Sequence, residues 1–289
     1  VEIVRGSRII GCIFSLTFAV ACQPAEKEKT TAPVEHSGYV YIKGGTYEVG
    51  AKGHPINPKR TIKLDAFYIA PHEVTNAQFS EFVTATNYKT QAEKYHNGRT
   101  FRLGLGEFKW ADDSTACWKF PNGKEAYGID DKMDHPVTCI SFKDAIAYCE
   151  WAGVRLPTVD EWEVASRDNS EQLFFFGKEL DSLQHYANIW HGVDHSAYSE
   201  KEQFKFTSPV GSFRPNANGL YDVYGNVFEL CADRPEFYKD REDVSCARGG
   251  SWWCSANSCH YYNSVDIGRA KQIASFSNQG FRVVRKRAK

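Results

Sequence analysis

The chain has 289 residues, 42% of them hydrophobic, and a formal net charge of -1. That length supports one large domain or two small ones, and a near-neutral chain offers no electrostatic case for nucleic-acid binding. Seven tryptophans and 22 glycines beside a single methionine suggest a rigid, loop-rich domain pinned by aromatic side chains.

Arg5 and Arg8 precede the apolar run 9–21, IIGCIFSLTFAVA. The run is short for a membrane span and suits the hydrophobic region of a secretory signal. Its end, Ala19-Val20-Ala21-Cys22, resembles a bacterial lipoprotein box, which implies cleavage before Cys22 and a lipid on that cysteine. Ordinary cleavage after Ala21 is the alternative. Residues 23–37, QPAEKEKTTAPVEHS, are polar with no apolar period and read as a flexible tether. The expected organisation is a lipoprotein signal over 1–22, a tether over 23–37 and one domain over 38–289. That places the domain in an oxidising, extracytoplasmic compartment, anchored to a bacterial membrane at the periplasm or cell surface.

Within the domain, GGTYEVG at 44–50 and the alternating 61–69 read as strands. Thr75 and Gln78 have capping-box spacing and open a helix with Phe79, Phe82 and Val83 on one face. Ser141 with Asp144 opens a second, running through Ala145, Ile146, Cys149 and Trp151 to Gly153. Thr158 with Glu161 caps a third, with Trp162 and Ala165 inward. Residues 91–132 show no period and are expected to be long loops; from 174 onward turn signals dominate. The fold class is α+β, loop-rich, with two or three helices and short antiparallel strands. Long loops bury few backbone partners, so such a domain calls for staples, disulfides or metals.

Of nine cysteines, Cys12 and Cys22 fall in the leader. Cys117, Cys139, Cys149, Cys231, Cys246, Cys254 and Cys259 remain, an odd number, so at least one thiol stays free or pairs between chains. The stretch RGGSWWCSANSCHYY sets Cys254 and Cys259 in a C-x4-C spacing. Zinc would want C-x2-C and a second pair, and His260 is the one histidine after His195. Two thiolates suit a soft ion with two ligands, copper(I) above all. A local disulfide and inert buried thiols stand beside that reading. Asp222 and Glu229 flank a Gly-containing turn that could give calcium hard oxygen ligands, or could be a plain turn with solvated acids. No G-x-S-x-G and no phosphate-cradling loop is present.

Taken together, the blocks GGTYEVG, AFYIAPHEVTNAQFSEFVTATNYKTQAE, HPVTCISFKDAIAYCEWAGVRLPTVDEWEVASR, HYANIWHG, NANGLYDVYGNVFEL, RGGSWWCSANSC and NQGFRVV resemble the formylglycine-generating enzyme, or sulfatase-modifying factor, family, a branch of the C-type-lectin-like folds. The resemblance covers 44–282. It implies an oxidase that converts a cysteine of target sulfatases to Cα-formylglycine with oxygen. Cys254 and Cys259 would bind copper(I), the substrate thiolate would join them, and Ser251 would hydrogen-bond near the sulfur or oxygen. Trp253, Arg269 and Trp118 would contact the substrate peptide. Calcium would fall on Asn188, Ile189, Glu202 and Phe204 at a first site, and on Asp222, Gly225, Val227 and Glu229 at a second.

The chain also departs from the family pattern. Ile267 stands where a substrate-binding arginine is usual, with Arg269 two residues on, and Asp266 occupies a normally small position. Positions that form a structural disulfide in some members hold Ser264 and Val283. A different thiol substrate, or a non-catalytic surface-binding lipoprotein on the same fold, are the alternatives. The iron-type motif H-x3-H-x-E is matched by His191 and His195 but broken at Ala197.

Overall fold

The computed structural model describes residues 38–285, apart from 127, 168–171, 178–179, 202 and 256. The expected signal, the tether and the lipid-bearing Cys22 lie outside the described residues. So does Glu202. No helix among the described residues is long and apolar enough to cross a membrane.

Helices start where their capping signals place them. Thr75 Oγ1 accepts from the Gln78 amide while Gln78 Oε1 accepts from the Thr75 amide at 3.0 Å, opening α1, Asn76–Thr86. The same reciprocal bonds satisfy two orphan N–H groups at α3, Phe142–Ala152, through Ser141 and Asp144, and at α4, Val159–Arg167, through Thr158 and Glu161. A left-handed Gly153 closes α3. The expectation of unbroken loops over 91–132 is corrected: Gln91–Tyr95 forms a short helix, α2, with its own Thr90–Glu93 box, and Gly98–Thr100 pairs with Ala111–Asp113. The expected strand over 61–69 divides at Asp65–Ala66. Arg60–Leu64 pairs with Gly45–Val49, whereas Phe67–Ile69 enters a different sheet beside Val40–Ile42.

That second sheet has the order Val40–Ile42, Phe67–Ile69, Val284–Arg285, Val154–Arg155, antiparallel throughout. Another sheet runs Gly268–Lys271, Val244–Arg248, Phe228–Leu230, Gln279–Gly280, its last pair parallel. Among the described residues four α-helices and short strands, mainly antiparallel, make the α+β class, one helix beyond the expected number.

Two large apolar clusters and a small one, Ala92, Ala116 and Cys139, fill the interior among the described residues. The first gathers Trp162, Trp190, Trp252, Trp253 and both cysteines of the C-x4-C stretch; the second gathers Phe79, Phe82, Trp118, Tyr148 and Phe281. Buried ions tie the elements together. Arg248 donates to Glu163 Oε2 at 2.5 Å and to the carbonyls of Val265 and Ser264 at 2.8 Å. Glu163 also accepts from the Gly50 amide at 2.6 Å and from Asn57 Nδ2 at 2.8 Å. Arg282 holds Glu229 in the same way, with Trp162 Nε1 donating to that carboxylate at 2.7 Å. Buried charges are tolerable only when paired and fully hydrogen-bonded. Both side chains of the Glu163–Arg248 pair are 0% exposed, so Glu163→Gln is expected to lower the unfolding free energy by roughly 3–5 kcal/mol in urea titrations. A loss below about 1 kcal/mol, as for a surface pair, would contradict that placement.

Candidate active site

Strand Val244–Arg248 delivers the chain to Gly249 and Gly250, both left-handed with φ of 83° and 72°. A Cβ on Gly249 would stand 2.7 Å from the Val223 carbonyl oxygen, and one on Gly250 would stand 2.7 Å from the Tyr262 amide nitrogen. The pair of glycines therefore permits a sharp, close-packed reversal that other residues would not. Ser251 follows, fully buried, and its Oγ accepts from Asn278 Nδ2 at 2.8 Å. The Cys254 amide donates to the Ser251 carbonyl, and the Cys254 carbonyl accepts from the Trp190 amide, each at 2.9 Å.

Cys254 and Cys259 are joined as a disulfide, their Cα atoms 4.5 Å apart. Cys254 is 0% and Cys259 3% exposed. Cys259 lines a groove of about 250 Å³ whose walls are Phe108, Trp110, Trp253, Phe228, Tyr261 and Phe276. Polar groups on it are Arg269, Asn278 and Gln279. Trp110 packs against Trp253 at 5.8 Å and against Phe276 at 5.4 Å between ring centroids, so one aromatic wall is continuous.

Trp253, Arg269, Ser251 and the cysteine pair are thus brought together. Trp118 is not. It lies in the second apolar cluster, 2% exposed and 5.4 Å from the Phe79 ring, and the tryptophan that lines the groove is Trp110. Ile267 is 2% exposed and part of the core, so its position presents no side chain to the groove. Asp266 accepts from Asn263 Nδ2 at 2.7 Å and pairs with His54 at 2.8 Å. Ser264, where some relatives have a disulfide, instead bonds Tyr224 at 2.6 Å and Ser166 at 3.2 Å. Asn278 was not singled out by sequence; its place beside the Gln279-Gly280 bridge in NQGFR is the signal that could have found it.

The remaining described cysteines are not bonded to this pair. Cys117, Cys139, Cys231 and Cys246 are thiols, and burial pushes the Cys246 thiol up to about 12 and Cys231 well above its ordinary value. Such thiols are inert. Cys149 sits buried on α3.

The calcium sets fare unevenly. Asn188 and Ile189 line a cavity of about 260 Å³ that also carries Lys201. Phe204 faces a different cavity, and no described carboxylate joins them. In the second set Gly225 and Val227 are buried in the turn, but both Glu229 oxygens are taken by Arg282 and Trp162. Asp222 gives one oxygen to the Gly211 amide at 2.6 Å. Among the described residues no three His, Cys, Asp or Glu side chains could hold an ion together; Glu202 of the first set lies outside the described residues, and in the second the Glu229 carboxylate is already engaged by Arg282.

Burial also acts on the acids of this region. Burial pushes Asp222 up to about 6. Burial, then the charges of Asp222 and Glu229, raises Glu73 well above the usual carboxylate range. Carboxyls that hold protons more tightly folded than unfolded contribute stability that is present at low pH and lost as pH rises through the folded value. Urea unfolding is therefore expected to show a fall in stability between about pH 4 and about pH 6 that is shallower in Asp222→Asn than in the native chain. Equal slopes would remove Asp222 from the account.

The fold has clear neighbours. PvdO from Pseudomonas aeruginosa superposes with a TM-score of 0.65 at 22% identity, covering 86% of this chain and 94% of its own, which establishes a shared fold and nothing finer. Residues 24–287 match the model of the sulfatase-modifying factor enzyme 1-like domain, and the chain belongs to that family. Formylglycine-generating enzyme from Bos taurus is 34% identical over 84% of this chain and 73% of its own length. Its counterpart from Thermomonospora curvata is 34% identical over 85% and 92%.

Proposed function

We propose that the protein converts a cysteine of a sulfatase polypeptide to Cα-formylglycine with oxygen as oxidant, and that reduced Cys254 and Cys259 hold copper(I). The observation that carries this is the buried cysteine pair, one member of which lines an aromatic groove, in a member of this family. The donor set suits the ion. The two sulfurs are close enough to bond each other, so once reduced they lie within reach of one small soft cation. With no third His, Cys, Asp or Glu beside them among the described residues, zinc's tetrahedral requirement is not met. Copper(I), when bound, would supply the activation of oxygen.

The chain's own residues then have separate tasks. Phe108, Trp110 and Trp253 bury the apolar part of an extended peptide and exclude water around its cysteine. Cys259, the sulfur that lines the groove, faces the incoming thiol. Ser251 Oγ accepts from Asn278 and weakly from the Trp253 amide at 3.4 Å, which leaves its O–H as the donor for a sulfur or oxygen there. Arg269, held over the Tyr238 ring at 5.2 Å, is the cation that meets the peptide beyond the cysteine.

Reduced protein loaded with Cu(I) and given a Cys-x-Pro-x-Arg peptide under oxygen is expected to yield formylglycine by mass spectrometry. Ser251→Ala should lower the rate roughly 10–100-fold, as loss of a supporting hydrogen bond at a metal site does. Unmodified cysteine with copper demonstrably bound contradicts the sulfatase assignment; turnover of a different thiol peptide in that event would keep the chemistry and change the substrate.

A further inference from the structure

His195 is 2% exposed and touches two groups that can only accept. Its Nδ1 lies 2.8 Å from Glu107 Oε1 and its Nε2 lies 2.8 Å from the Trp253 carbonyl oxygen. The ring therefore bridges the carboxylate and the carbonyl. The ring stacks on Trp253 at 4.2 Å with 9° between planes and packs on Trp190 at 4.7 Å and Phe101 at 5.8 Å.

Glu107 continues the chain of bonds. Its second oxygen accepts from Ser258 Oγ. Burial alone would raise this carboxyl, but the bonds from Ser258 and His195 outweigh it and hold Glu107 below the usual range. Trp253 immediately precedes Cys254, and Ser258 immediately precedes Cys259. The residue before each cysteine thus ends on the His195–Glu107 pair. Two further bonds tie the same segments: Gly104 donates its amide to the His195 carbonyl, and Asn257 Nδ2 donates to the Val193 carbonyl, each at 3.0 Å. Phe108, next to Glu107, packs on Trp253 at 5.2 Å and walls the groove.

We propose that His195, paired with Glu107, is a positioning residue that sets how closely Cys254 and Cys259 stand, by fixing the residue in front of each. The pair contributes no atom to the chemistry. It orders the loop between the cysteines, so that two thiols meet one ion, or each other, at a high effective concentration. Its use to the enzyme rests on the copper reading above, but the positioning itself does not.

The test is the redox equilibrium of the Cys254–Cys259 bond in the full chain. It is measured against mixtures of reduced and oxidised glutathione and read by alkylation and peptide mass spectrometry. Glu107→Gln, at a side chain 43% exposed, keeps the fold and removes the carboxylate charge; His195→Gln removes the ring and one of the two bonds. Each is expected to lower the effective concentration of the thiol pair about tenfold, and the double variant should fall no further than the weaker single, since the two act as one unit. Val154→Ala, in a different sheet, gives the comparison: it should lower the thermal midpoint and leave the glutathione equilibrium unchanged. Unchanged equilibria in both single variants, additive losses, or an equal shift in Val154→Ala would overturn the proposal. Shifted equilibria in a protein that makes no formylglycine would leave the positioning role standing and remove the enzymatic one.

Discussion

Glu163 and Arg248 meet without solvent, one residue before the chain turns at Gly249 toward its cysteines. An ion pair in that position gives little net stability, because desolvation of the two charges offsets most of their attraction. Its effect is on specificity of arrangement. The carboxylate is reached from the Gly50 amide, Asn57 and Arg248, and the guanidinium reaches the carbonyls on either side of Val265 as well as Val265 itself. Four separated parts of the chain meet on this one pair. The reversal into Ser251 and Cys254 is fixed as a consequence, and the groove inherits its floor from it.

The cysteine pair is poised between two chemical states. As a disulfide it staples a loop-rich region, the role that such a domain needs; reduced, the same geometry offers two soft donors, one of them lining an aromatic groove. The other described cysteines carry no such ambiguity, because burial suppresses the thiolate of Cys231 and Cys246. Selectivity for one pair therefore comes from placement: among the described cysteines Cys259 alone lines the groove, and only this pair is framed by the His195–Glu107 clasp.

Local chemistry was legible in the sequence, and long-range placement was not. Three helix starts followed from capping residues because the deciding bonds span three residues. Gln91–Tyr95 escaped because five residues cannot display a helical period, although Thr90 and Glu93 carry the box. The strand over 61–69 looked continuous because alternation persists through Asp65–Ala66, while its two halves serve different sheets. Trp118 and Trp110 are equivalent as letters; the packing of Phe79 takes the first inward and leaves the second for the groove. Glu107 lies in a stretch with no period and meets His195 across 88 positions, a pairing that spacing cannot reveal. The family blocks located the site, and the departures at Ile267, Ser264 and Asp266 each have a structural reason: a core side chain, a hydroxyl network, and a histidine partner.

We propose the reduced Cys254–Cys259 pair as a two-sulfur site for copper(I). Its direct measurement is Cu(I) binding by competition with a colorimetric chelator under anaerobic conditions, compared between the reduced native chain and the Cys254→Ser, Cys259→Ser double variant. One tightly held ion per native chain, lost in the double variant, is the expected result. Equal affinity in both, or no tight site in the native protein, would contradict it.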